Sequence, residues 1–368
     1  MGSDADVFVI GGGPAGIAAG IAASERGFRV TVADGGRPPI LKACGEGLLP
    51  EAVAALEDLG VKLREDDGCA LRGIRFEDRD AEVSARFPGG HGMGVRREML
   101  HQRMLERADE CAVTLLWNTP VTGLCEEGVV AGGEKIGARW IVGADGIRSR
   151  VRRWAGLDTC REQKNRFAFR RHYQMEPWTD FTEVYWGDFA QAYVTPVGSQ
   201  EICVVLIGDT PELRFDENLL RFPRLASRLS CGSQSSGERG AATGMFELGR
   251  VYKGRVALIG DASGSVDAIT GEGLSLSFRQ ASALADALAA GDLERYQQSH
   301  RRVLRRPRIM GNLLLLLGRR SGIRNRVMNT FENAPQLFES MLAYHVGKIP
   351  RLEIAAAGAY FGWRFLTA

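Results

Sequence analysis

Residues 6–26 read DVFVIGGGPAGIAAGIAASER. The apolar run over 6–10 is the pattern of a parallel strand buried on both faces. A glycine-rich turn follows at once, and the Ala/Ile-rich segment 17–26 continues as a helix. A second apolar strand over 28–33 closes on Asp34, about twenty residues beyond the turn, where such units carry an acid. Each residue has a mechanical job. Gly11 permits the tight turn, Gly13 lets the backbone approach a pyrophosphate, and Gly16 lets helix and strand pack closely. Pro14 and Ala15 open the helix, where unpaired N–H groups and the helix dipole favour phosphate. Asp34 is placed to accept hydrogen bonds from a ribose. The stretch predicts a Rossmann-like βαβ unit for a dinucleotide.

The whole chain fits that reading. It has 368 residues, 45% hydrophobic and 25% charged, enough for a sizeable core and too apolar for a disordered chain. The longest apolar run, the five leucines 313–317, is far shorter than the roughly 20 residues a membrane-spanning helix needs. The N-terminus has acidic residues and no basic segment before its apolar stretch, unlike a secretory signal. Seven scattered cysteines without a CxxC pair suit a reducing cytoplasm better than a disulfide framework. The five histidines form no metal-ligand pattern, so no metal is expected. The net charge of +2 hides an asymmetry, because residues 296–326 hold nine arginines and no acid. The rest of the chain is mildly acidic.

Two further stretches repeat the strand–glycine–acid grammar. Residues 140–152 read WIVGADGIRSRVR, and residues 255–263 read RVALIGDAS, leading through Gly264 and DAITGEG (267–273) into a helix over 274–289. A carboxylate after a buried strand can bind a ribityl hydroxyl, and the glycine-rich turn offers amides to an anionic flavin ring. The ordered trio GxGxxG, GADGxxSxVR and GDAxG…GEG resembles the flavoprotein superfamily of p-hydroxybenzoate hydroxylase, flavin-dependent halogenases and geranylgeranyl reductases, over roughly residues 5–290. That resemblance implies one bound FAD. Gly11, Gly13, Pro14, Ala15, Gly16 and Asp34 would hold its adenosine half, and Arg97 would stand near the ribityl-pyrophosphate. Gly260 and Asp261 would lie at the ribitol, and Gly271, Glu272 and Gly273 at the ring. Asp145 would support FAD and a transient pyridine nucleotide. Independently of the resemblance, no second strand–GxGxxG–helix unit exists for NADPH, so NADPH or another donor must bind transiently.

The implied fold is α/β, a two-domain flavoprotein of α+β type. A Rossmann-like FAD domain would comprise 1–66, 92–160 and 250–295. An inserted antiparallel substrate sheet would comprise 67–91 and 161–249, and C-terminal helices 296–368. Segments 166–175, 181–186, 191–196 and 201–207 read as its strands. Tyr185, Tyr193 and Pro196 are the candidates for a substrate cavity there. His172, with Arg170 and Arg171, could supply polar groups to a pocket, but an exposed strand face is favoured.

The chemistry rests on KACGEGLLP (42–50). It is similar to the KxCGxx(L/I) segment of geranylgeranyl reductases, whose cysteine lies beside the flavin. A thiol there could tune the flavin or donate a proton; Cys44 could equally be a small filler in a glycine-rich loop. Glu46 is the second catalytic candidate. DAITGEG is likewise closer to the reductases' NPLTGEG than to the hydroxylases' pattern, while Glu272 at a helix start suits the dipole in any case. The segment AYVTP (192–196) lacks the tryptophans of a halogenase. C=C reduction of a bulky apolar isoprenoid- or polyketide-like molecule is therefore preferred. The alternative is hydroxylation of an aromatic or polyketide substrate, with halogenation or a non-catalytic flavin-binding role behind it.

Residues 296–325 read as a helix interrupted at Pro307. Its arginines, from Arg301 to Arg326, could touch an anionic membrane surface or pair with the acidic body, the latter being favoured. No pattern suggests nucleic acid, and the poorly charged tail 354–366 could pack on the body or meet lipid. A cytoplasmic protein, peripheral to a membrane at most, is expected.

Overall fold

A computed structural model describes residues 4–40, 42–79, 81–159, 164–349, 358, 360–362 and 364. Strand Ala5–Ile10 lies at the centre of a parallel sheet, between Glu134–Gly143 and Val30–Ala33. Val256–Leu258 and Thr114–Leu116 extend it on either side. Helix Pro14–Ser24 is apolar nearly all round, with nine of its eleven residues buried, as a helix enclosed by other layers must be. It packs between this sheet and helix Gly273–Ala289.

A second sheet of nine strands carries Arg239–Glu247, Lys164–Gln174, Glu201–Gly208, Ala190–Gly198 and Phe181–Trp186 in that spatial order. These pair antiparallel, but Phe181–Trp186 pairs parallel with Gly73–Asp78, so the sheet is mixed rather than purely antiparallel. Of 67–91, Gly73–Asp78 and Ala81–Arg86 join it, whereas Gly68–Leu71 pairs with Gly92–Val95 in a small separate sheet. The two-residue period of a strand divides its side chains. Ile202, Val204 and Leu206 meet the short helices Phe215–Leu219 and Pro223–Leu229, while Cys203, Val205 and Ile207 face the other way.

On that other side lie three C-terminal helices, Leu293–Arg319, Ser321–Asn333 and Pro335–His345. Pro307 does not interrupt the first, as the sequence had suggested. Its buried stripe (Tyr296, His300, Leu304, Pro307, Met310, Leu314, Leu317) continues across the proline at helical spacing. Packing along that stripe offsets the one backbone bond Pro307 cannot make. The chain turns instead at Arg320, which leaves the helical conformation (φ −126°, ψ 85°). Phe338 seats the third helix on Phe76, ring centroids 4.9 Å apart. The tail expected to pack or meet lipid falls largely outside the described residues.

The basic segment divides in two. Arg306 pairs with Glu51, Arg308 with Glu247, and Arg324 with Asp78 (2.7 Å) and Asp188 (2.9 Å). Arg302, Arg305, Arg319, Arg320 and Arg326 make no ion pair among the described residues. Arg324 and Asp78 are both almost wholly buried, so removing one leaves the other charged and unpaired. Arg324→Leu should cost about 3–5 kcal/mol of unfolding free energy in a urea titration.

Candidate active site

The first turn is built by contact. Gly11 has φ +115°, and a Cβ there would lie 2.7 Å from the Ala144 carbonyl carbon. A Cβ on Gly16 would overlap the Gly11 carbonyl oxygen. Gly13 faces open space, and the helix it caps has no side-chain cap, leaving first-turn N–H groups free for phosphate. Asp34 is oriented by its own loop: its carboxylate accepts from the N–H of Gly12 (2.7 Å) and Gly36 (2.8 Å). A carboxylate has lone pairs to spare for a ribose.

The other expected residues divide by what they touch. Arg97 borders the same space, and its buried Nε has no partner among the described residues, a donor that a phosphate would satisfy. Asp261 also borders it but is held by Lys42 at 2.7 Å. Asp145 lines the wall and has a structural task as well, accepting from the N–H of Arg150 (2.6 Å) and Val151 (3.1 Å) at a helix start. Gly260 (φ +60°) stands behind the wall, where a Cβ would come within 2.8 Å of the Ala15 methyl. Gly271 (φ +68°) and Gly273 face open space at the other end. Glu272, between them, turns its carboxyl back into the protein. These residues fit a dinucleotide with an anionic ring at its far end.

One cavity of about 620 Å³ runs from this cradle into the space between the nine-stranded sheet and the C-terminal helices. Pro14, Ala15, Cys44, Glu46 and Tyr193 line it, together with Met310, Leu314 and Phe338, which sequence reasoning did not single out. Tyr193 donates its hydroxyl to the Ile269 carbonyl. Tyr185 and Pro196 are not brought there. Tyr185 lies one residue out of phase with Thr182 and Val184, which do line the cavity, so it points to the opposite face; its hydroxyl is taken up by Glu183 (2.6 Å) and Arg228 (2.7 Å). Pro196 stands at a register shift in its strand and pairs with Ile202.

The largest surprise is His172. It is fully buried, not exposed, and its Nε2 lies 2.6 Å from Glu46 Oε2. Ser236 Oγ lies 2.8 Å from Nδ1, and Arg170 also contacts the ring. Glu46 itself has φ +56°, unusual for a residue with a Cβ, and accepts the Arg97 N–H at 3.2 Å. Burial pushes its carboxyl up, but the bonds from His172 and Arg97 outweigh this, and Glu46 stays below the usual carboxylate range. The pair ties the loop after the second strand to the nine-stranded sheet, 126 residues away. Cys203 joins them within 4.8 Å as a possible metal trio, but both imidazole nitrogens have partners and the Arg170 charge opposes a cation. Cys44 is half-buried; its sulfur accepts the Glu46 N–H at 3.4 Å.

The close approach at Gly16 gives a direct test. Gly16→Val should push the first helix off its turn and leave a flavin-to-protein absorbance ratio near zero, while Gly322→Ala, at an exposed helical position outside the cavity, should keep its flavin.

A family model described as an FAD binding domain matches residues 4–295. Menaquinone reductase of Mycobacterium tuberculosis is 28% identical over 319 residues, 79% of this chain and 78% of that protein. The 6-methylpretetramide 4-monooxygenase of Streptomyces rimosus is 36% identical over 174 residues, 42% of each chain. A flavoprotein/dehydrogenase from Cytophaga hutchinsonii shares the fold, with a TM-score of 0.80 at 19% identity over 93% of this chain and 92% of that one. A glycine cradle shaped for a dinucleotide and a family match over most of the chain lead to one conclusion: this protein belongs to the FAD binding domain family and is an FAD-dependent oxidoreductase.

Proposed function

We propose that the protein reduces a C=C bond in a bulky apolar, isoprenoid-like molecule. The observation that carries this reading is the single cavity shared by the flavin cradle and an apolar chamber. Ile74, Phe76, Met310, Leu314, Phe338 and Met341 line its far end, and few polar groups interrupt them. Such a chamber excludes water and holds an extended hydrocarbon by area alone. The resemblance to a menaquinone reductase, a protein named for a lipid-like substrate, points the same way. FAD supplies hydride when bound; the chain supplies position, dryness and the glycine amides at Gly271–Gly273. Cys44 borders the same cavity, and on this reading its thiol tunes the ring. NADPH is the proposed donor, docking transiently because the described residues contain no second dinucleotide cradle.

The same reading gives the unpaired arginines a task. On the exposed face of helix Leu293–Arg319, Ile309, Leu313 and Leu316 stand between Arg302 and Arg305 at one end and Arg319 and Arg320 at the other. An apolar stripe bracketed by cations complements an anionic lipid surface, from which a lipid-like substrate would come. No described helix is long and apolar enough to cross a membrane.

Two measurements test this. NADPH should bleach the flavin without oxygen, and an isoprenoid quinone should then restore its absorbance and, after any quinol is reoxidised, still carry two added hydrogens on carbon. Reoxidation by oxygen alone, with labelled oxygen in the product, would make the protein a hydroxylase instead. Vesicles with anionic headgroups should pull the protein down at low salt and release it at high salt; equal recovery on neutral vesicles would remove the surface proposal.

A further inference from the structure

Four buried polar atoms that make no hydrogen bond among the described residues belong to three side chains that meet: both carboxyl oxygens of Glu272, Nδ1 of His345 and Nε of Arg306. Buried polar groups are seldom left unpaired, and several together mark a functional place. Glu272, 1% exposed, caps helix Gly273–Ala289 at the flavin loop. His345 comes from the last turn of the last described helix, beyond the part of the chain that the family model covers. Its Nδ1 lies 3.7 Å from Glu272 Oε2, and its Nε2 lies 3.0 Å from the Thr270 carbonyl oxygen. That carbonyl can only accept, so Nε2 carries the hydrogen and Nδ1 is an open acceptor facing the carboxyl. His345 and Thr270 both line the cavity; Glu272 stands one layer behind.

We propose that Glu272 and His345 form a buried proton relay that serves a carbonyl oxygen conjugated to the reducible C=C bond, so that the substrate is an enone or quinone with an apolar tail. This rests on the reductase reading and deepens it. Reduction consumes one hydride, which the bound flavin supplies, and one proton, which the chain must supply. Hydride adds to the carbon far from the carbonyl, and the C=C electron pair moves toward the oxygen. That oxygen replaces the Thr270 carbonyl as acceptor of the His345 Nε2–H and takes its proton, while Nδ1 closes the 3.7 Å to Glu272 and takes the carboxyl proton; the enol so formed then tautomerises. The ring passes one proton in and one out and is never a cation. Glu272 is left as a carboxylate beside Arg306 and recovers its proton from solvent.

The surrounding charges agree. Arg306 Nη2 stands 3.6 Å from Glu272 Oε1 but is engaged by Glu51, which also lies 3.9 Å from Arg279. Burial pushes the Glu272 carboxyl up to about 8 despite Arg306 and Arg279, with Glu51 adding to the rise. Burial and Arg306 press His345 down to about 4. At neutral pH the acid is therefore loaded and the imidazole neutral. The proton is available below about pH 8 and is lost as the pH rises through it.

The test uses the holoprotein in two arms. In infrared spectra, the C=O stretch of a protonated carboxyl should be present at pH 7, disappear with a midpoint near 8, and be missing in Glu272→Gln. With a short-chain naphthoquinone as oxidant of the reduced flavin, Glu272→Gln and His345→Gln should each slow turnover about a hundredfold, leave KM unchanged and abolish the fall in rate above pH 8. Absence of that band in the wild type, or a Glu272→Gln variant with full rate and an unaltered pH profile, would overturn the relay. A quinone that fails to reoxidise the wild type, with the band present, would count against the reductase reading and against the enone or quinone substrate, leaving only the loaded acid established.

Discussion

The contact between Gly16 and the Gly11 carbonyl is the constraint on which the remaining geometry depends. No side chain separates the first helix from the first turn there, so helix, strand and turn form one rigid corner. The glycine-poor alternative would push the helix outward and move its free N–H groups away from the phosphates. Gly143 repeats the device one strand over: a Cβ there would come within 2.8 Å of both Leu258 and Val151. The parallel sheet is thus clamped at its carboxyl edge, where ligands of open α/β sheets bind. The cavity, the loop carrying Cys44 and Glu46, and the second sheet are all arranged around that corner.

What was legible in the sequence follows from how local each signal is. The cradle could be read because Gly11, Gly13, Gly16 and Asp34 act through backbone geometry at short spacing. The strands of the second sheet could be read from composition, and Phe181–Trp186 matches its expected span. Side-chain destinations could not be read as well. Tyr185 and Tyr193 look equivalent as aromatic strand residues, yet the pleat sends one to the short helices and the other to the cavity. Nothing in the order of residues fixes which phase faces the flavin. The Glu46–His172 pair was hidden for a different reason, since two residues 126 apart meet only through sheet pairing.

The C-terminal helices show what a local rule leaves out. Pro307 is a helix breaker by itself, but the buried stripe on either side of it overrides that tendency. The last helix did carry a signal: Phe338, Met341, Leu342 and His345 recur at helical spacing and all line the cavity. A lone histidine on an apolar face is ordinarily a core residue, and only its neighbour Glu272, distant in sequence, distinguishes this one. These helices do more than cover the sheet. They close the chamber and bring polar groups to the end of it that meets the flavin loop.

One structure would test the central claim, a single cavity holding flavin and apolar substrate end to end. A crystal structure of the holoprotein with an isoprenoid quinone should show the flavin ring between the Gly271 and Gly273 amides and Cys44. The quinone oxygen should lie at His345, and the tail should run against Leu314 and Phe338. A ring elsewhere in the cavity, or a tail on the Tyr185 face of the sheet, would contradict it.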